Sequence, residues 1–265
     1  MAFRKIRSAM PTRRLPNSTA TVIRTLITAR DAWKQFPNNR LITAAHWAKL
    51  DDANAQSFLS RLLKEAGDVP NALAAQAPLT SALTQAMDRL TLFVSHFHQV
   101  YDLGVDRGVF TPGGRAHYDR DVSATALPDL SNITAVLEAA SKIAPGEAAR
   151  KAAEGAAHVP MALPSAAEVA AAHADAAAKR TAAEAAKLNT DTQQGELAAL
   201  YPEAQKLAVS LINTVEFQLG ERDDLDDAGR RRIARLWGVV YLNDDGSAAE
   251  ESGNDSPKSA PAPTP

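Results

Sequence analysis

The chemistry open to this chain of 265 residues is bounded by six histidines and no cysteine. His96 and His98 flank Phe97, and His117 follows in a loop beside Tyr118 and Asp119, a grouping that at first sight suggests a metal site. Residues two apart on a helix point about 200° apart, however, so His96 and His98 cannot ligate one ion from a shared helix. Without cysteine there is no disulfide, no thiolate nucleophile and no Cys-based zinc or iron–sulfur site, and the HExxH pattern is also missing. Neither a metal nor an organic cofactor is expected.

Two other constellations invite chemistry. The stretch VFTPGGRAHYD (Val109–Asp119) joins paired glycines to Arg115, His117 and Tyr118, which form a candidate ligand loop. It has neither the GK[ST] ending of a phosphate loop nor the spacing of a dinucleotide fingerprint, and turn formation accounts for its glycines. Arginine clusters occur in the first 16 residues (Arg4, Arg7, Arg13, Arg14) and at Arg230, Arg231, Arg232 and Arg235. Such clusters attract phosphates, but Asp223, Asp224, Asp226 and Asp227 precede the second one and can neutralise it. Nucleic acid is therefore not the expected partner; anionic-surface binding through the arm and the last helix stays a subordinate alternative. The net charge near −2 agrees.

The elements that must position these residues read as helices. Val22, Ile23, Leu26, Ile27, Ala29, Trp33 and Phe36 follow a cap at Asn17 or Ser18 and stop at Pro37. Asn38 or Asn39 is expected to cap a second stretch, and a third, restarting near Asp51, is expected to end at Gly67. Between Pro78 and Gly104, the residues Leu79, Leu83, Met87, Leu90, Val94, Phe97 and Tyr101 step by threes and fours along one helical stripe. Residues 104–128 are dense in breakers and predict an irregular connection. A short helix from Ser131 to Ala144 is expected next, then an extended stretch over 156–164.

Alanine supplies two residues in five between 151 and 200, and Ser165 with Glu168 forms a capping box at the start of that region. Further on, Leu197, Leu200, Ala204, Leu207, Leu211 and Val215 make a near-heptad seam about three heptads long, suited to coiled-coil pairing. Over 165–220 these residues predict either one long rod or an antiparallel hairpin turning at Asn189–Gly195, and the hairpin is preferred because alanine faces need a partner. Asp223–Asp227 caps a basic helix, WGVVYL (237–242) has strand composition without an evident partner, and 243–265 has a disordered composition.

From His96 to Tyr241 the chain resembles an uncharacterised family of bacterial helical proteins. The residues that carry this are R-x-x-Y (Arg115–Tyr118), LPDLS (Leu127–Ser131), GEAAR (Gly146–Arg150), PSAAEV (Pro164–Val169), PEA (Pro202–Ala204), VEF (Val215–Phe217) and RRRIARLWGVVY (Arg230–Tyr241). The resemblance implies a shared helical architecture and no activity, cofactor or partner. The family pattern sets Gly-Leu after the loop tyrosine, where this chain has Asp119 and Arg120.

The expectation is an all-α protein: a basic flexible arm (1–16), a helical bundle (17–155), a long hairpin or rod with a basic helix and an extended segment (156–242), and a tail (243–265). With no run of 18 apolar residues and no signal-like segment, it reads as cytoplasmic. The expected function is non-enzymatic, in protein–protein interaction or self-assembly through the seam at Leu197, Leu200, Ala204, Leu207, Leu211 and Val215. The rival is a small-ligand binder or enzyme using Arg115, His117 and Tyr118.

Overall fold

The computed structural model describes residues 11–124 and 126–242. Residues 1–10 of the flexible arm expected over 1–16, and the expected tail over 243–265, lie outside the described residues. Among the described residues there are six α-helices: α1 (Thr19–Gln35), α2 (Ala44–Leu50), α3 (Phe58–Asp106), α4 (Ile133–Glu154), α5 (Ala166–Gly220) and α6 (Asp227–Leu236). Two three-residue strands, β1 (Thr12–Arg14) and β2 (Val240–Leu242), pair antiparallel with Arg13 opposite Tyr241. The protein is thus all-α with a minimal ribbon. No described helix is long and apolar enough to cross a membrane.

Local capping chemistry sets several boundaries where the sequence places them. Ser18 caps α1, Asp226 caps α6 by accepting from the Gly229 amide, and Ser165 and Glu168 exchange backbone-to-side-chain hydrogen bonds at 3.2 and 2.7 Å. Elsewhere the boundaries move. α2 is capped by Thr43 instead of Asn38 or Asn39, and α3 begins at Phe58, with the hydroxyl of the preceding Ser57 accepting from the Ser60 amide. α4 runs on to Glu154, past the expected end at Ala144.

The larger corrections concern prolines. α3 passes through Gly67, Pro70 and Pro78, α4 through Pro145, and α5 through Pro202, so that 166–220 is one uninterrupted helix and not a hairpin. All four prolines are solvent-exposed. A proline frees the carbonyl four residues earlier, which lies on the same face of the helix; on an outer face water can satisfy it, and the helix continues with at most a bend. The helix end expected at Gly67, the one expected at Ala144 and the turn preferred at Asn189–Gly195 are all passed through by continuous helix.

By contacts the chain divides into two units, one of residues 1–68 with 194–265, the other of 69–193. This grouping cuts across the expected 17–155 and 156–242. The divisions at 68/69 and 193/194 fall beside Gly67 and within the polar stretch Asn189–Gly195. Those weakly apolar positions mark where one core ends and another begins, and not where a helix turns.

In the first unit α1, α2, the start of α3, the end of α5, α6 and β2 enclose a core containing Val22, Leu26, Leu50, Leu59, Leu62, Leu211, Ile212, Val215 and Trp237. The segment expected to lack a strand partner finds it in the N-terminal arm, since β2 pairs with β1. Residues 12–14 are therefore strand and not free arm. Only a pairing between the two ends of the chain could supply that edge, and no local pattern announces it.

In the second unit Leu90, Val94, Phe97 and Tyr101 of α3 pack with Val136, Ala140 and Ile143 of α4 and with Val169, Ala172 and Ala176 of α5. Small alanine side chains let α5 close onto this core.

Leu211, 1% exposed, sits in the first core. Replacing Leu211 with alanine should lower stability by about 2–5 kcal/mol, the usual cost of emptying a well-packed leucine site. Equilibrium urea unfolding measures it; an unchanged midpoint would remove the seam from the core.

Candidate functional site

The sequence-derived seam is internal. Ala204, Leu207, Leu211 and Val215 are buried in the first core, and Leu197 and Leu200 are partly buried against it. The apolar stripe that suggested pairing between molecules is matched by α1, α2 and α6 of the same chain.

The loop residues are drawn into a polar cluster in the second unit, but not round one cavity. Arg115 donates from Nε to Asp102 Oδ1 at 2.9 Å and from Nη1 to the Val122 carbonyl at 2.8 Å. Tyr118 is buried, its ring edge-on to Phe97 and Tyr101, and its hydroxyl donates to Glu147. His117 is half-buried, and its backbone carbonyl lies against α4. A Cβ at Gly146 would come within 2.3 Å of that carbonyl oxygen, so only glycine lets the loop approach here. Gly114 is likewise a contact residue: a Cβ there would sit 1.9 Å from the Tyr101 hydroxyl. Turn formation alone does not explain it.

The centre of the cluster is Arg150, wholly buried. Its guanidinium donates to the Tyr118 hydroxyl at 2.9 Å, to both oxygens of Glu147 at 3.0 and 3.2 Å, to Glu154 at 2.9 Å and to the Val159 carbonyl at 2.7 Å. It also lies over the rings of Tyr101 and Phe110 at 5.7 and 5.0 Å. His158 adds Nδ1 against Glu154 at 3.1 Å. Burial opposes ionisation of Glu147, but the hydrogen bonds from Arg150 and Tyr118 outweigh it and hold the carboxyl below its usual range. Tyr118 is pushed up, first by burial and then by Glu147.

A second ion pair group adjoins it. Arg120, also buried, donates to Asp102 at 3.0 and 3.2 Å and to the Ala126 carbonyl at 2.9 Å. Asp119 takes φ of 60°, a left-handed conformation that Asp tolerates better than most residues.

Sequence reasoning missed Asp102, Arg120, Glu147, Arg150, Glu154 and His158. One signal was available: Glu147, Arg150 and Glu154 stand three and four residues apart, the spacing at which helical side chains meet.

Beside this cluster His98, Tyr118, Arg120 and Lys142 line a shallow pocket of about 230 Å³. Of the three loop residues, Tyr118 alone lines it. His98 is 1% exposed, and its Nδ1 has no hydrogen-bond partner. Burial holds its pKa at about 4, with the Arg120 charge acting the same way and Asp102 against it. His96 lies on the exposed side of α3, so the two histidines do diverge. Among the described residues no group of three or more His, Asp or Glu is placed to hold a metal ion.

No family model, curated protein or solved structure matches the chain. Its own geometry is therefore the ground for a functional reading.

The cluster is a clasp, with each charge held by a neighbour. Replacing Arg150 with methionine should cost about 3–5 kcal/mol, because Glu147 and Glu154 are left inside without their cation. Thermal and urea denaturation read this; a cost under about 1 kcal/mol, the range of surface pairs, would contradict it. His98 gives a pH signature. Its pKa falls from 6.5 unfolded to about 4 folded, so the unfolded chain binds the extra proton. Its contribution is fully present above pH 6.5 and is lost as pH falls towards 4, by about 3 kcal/mol in all. Unfolding titrations of wild type and His98→Gln should differ in slope across that window and run parallel above it.

Proposed function

We propose that this chain is a non-enzymatic, cytoplasmic helical protein that acts by protein–protein interaction, first of all with a second copy of itself, and that the contact surface is the outer face of α3 in the second unit. The observation that carries this is a second apolar stripe on α3, opposite the buried one. Leu92, Val100 and Leu103 are 50, 39 and 51% exposed, while Leu90, Val94, Phe97 and Tyr101 on the other side are wholly buried. At 100° per residue Leu92, Val100 and Leu103 fall on one face together with His96 and Gln99, which are exposed as well. An apolar strip bordered by polar side chains is the usual character of a protein contact surface.

Two further points support the reading. The seam at 197–215 is occupied by the chain's own helices, so a contact between molecules needs another surface. Arg150 with Glu147 and Glu154, and Asp102 with Arg115 and Arg120, are engaged in ion pairs, which suits a fold clasp better than a reacting centre.

Sedimentation of the full chain over a wide concentration range tests this. The wild type should associate, and Leu92→Asp with Leu103→Asp should weaken association by at least about tenfold without loss of helicity, since both positions are exposed. A wild type that stays monomeric, or a variant that associates equally well, would defeat self-association through α3.

A further inference from the structure

The ribbon of the first unit brings together cations that are far apart in the chain. Arg13 and Arg14 are neighbours on β1 and therefore face opposite ways. Arg13 donates to Asn213 at 2.8 Å and pairs with Glu216 at 2.5 Å. Arg14 turns to the other side, where the ribbon, α1 and the end of α6 surround a pocket of about 260 Å³. Arg14, Arg24 and Arg235 line it with Thr21, Thr25 and Thr28, and no aspartate or glutamate is among the lining residues.

Three arginines line the pocket with no acid among the lining residues, so its wall carries positive charge that an anion would offset. Arg235 is part-buried, with its guanidinium over the Tyr241 ring at 5.8 Å and no hydrogen-bond partner at Nη2, so no carboxylate of the fold is bonded there. Backbone geometry holds the pocket's shape. Gly238 has φ of +92°, and a Cβ there would stand 3.0 Å from the Thr25 carbonyl, so the turn from α6 into β2 can lie against α1 only with glycine.

We propose that this pocket binds the phosphate group of a small phosphorylated organic molecule. Phosphate is favoured over carboxylate because a dianion with three terminal oxygens can engage three guanidinium forks. An organic portion is expected because Leu15, Pro16, Val239 and Val240 complete the wall. The volume accommodates one phosphate with a small substituent and not a row of them, which sets the site apart from a nucleic-acid groove.

Calorimetric titration of the full chain with phenyl phosphate, inorganic phosphate and benzoate tests the assignment. Phenyl phosphate should bind one to one, more tightly than either of the others, and Arg24→Ala should weaken it by about tenfold or more. Arg14→Ala with Arg24→Ala should abolish binding; both side chains are exposed, so the unliganded melting temperature serves to show that the variant is folded. Absence of phenyl phosphate binding, equal binding of benzoate, or binding unchanged in the folded double variant would each overturn the proposal. Vesicles of phosphatidic acid in phosphatidylcholine and a short DNA duplex form the remaining arms. Arginine-dependent retention on either without binding of phenyl phosphate would assign the site to a lipid headgroup or a nucleic-acid backbone and overturn it.

Discussion

The second unit is organised round the burial of one guanidinium. Arg150 has no exposed surface, and a cation so placed is tolerated only if its donors are met within the fold. Meeting them requires two carboxylates on α4, one a helical turn before Arg150 and one a turn after it, a tyrosine hydroxyl from the 3₁₀ turn Pro112–Tyr118, and a carbonyl from the stretch after α4. The tyrosine and the carbonyl each fix a segment outside the α-helices. The loop density of Gly and Pro, which reads as a region free to move, is in this way tied to α3 and α4.

The same requirement explains the glycines. Tyr118 reaches Glu147 and Arg150 only if the turn lies close to α4, and the close approach leaves no room for a Cβ at Gly146. Gly114 does the equivalent service against the Tyr101 hydroxyl, which in turn donates to the Thr111 carbonyl at 3.0 Å. R-x-x-Y and GEAAR, separate motifs in the sequence, are two halves of one contact. Asp102, held below the usual carboxylate range by Arg120 and Arg115 against the effect of burial, extends the clasp to α3.

The first unit follows a different rule, that of apolar area. Its core takes the seam of α5 and surrounds it with α1, α2, α6 and β2. A heptad-like stripe on a long helix is equally suited to a neighbouring chain and to the chain's own helices, because burial of leucine is indifferent to which molecule supplies the cover. The ribbon then closes the unit, placing Arg13 against α5 and Arg14 against α1. Two arginines adjacent in sequence thereby enter unlike surroundings, one neutralised and one among other cations.

Much was determined by the sequence alone: the all-α character, the apolar stripe from Leu79 to Tyr101, the capping box of Ser165 with Glu168, a cap for α1 at Asn17 or Ser18 and for α6 within Asp223–Asp227, and the basic last helix. These are local properties, set by side-chain period and by hydrogen bonds within three or four residues. Tertiary structure alone decided that helices pass through Pro70, Pro78, Pro145 and Pro202, since that depends on which face meets water. It likewise decided that the 197–215 seam is core, that β2 has a partner, and that Arg150 and not His117 lies at the centre of the polar cluster. Each of these outcomes turns on a neighbour distant in the chain, and residue type constrains such a neighbour without naming it.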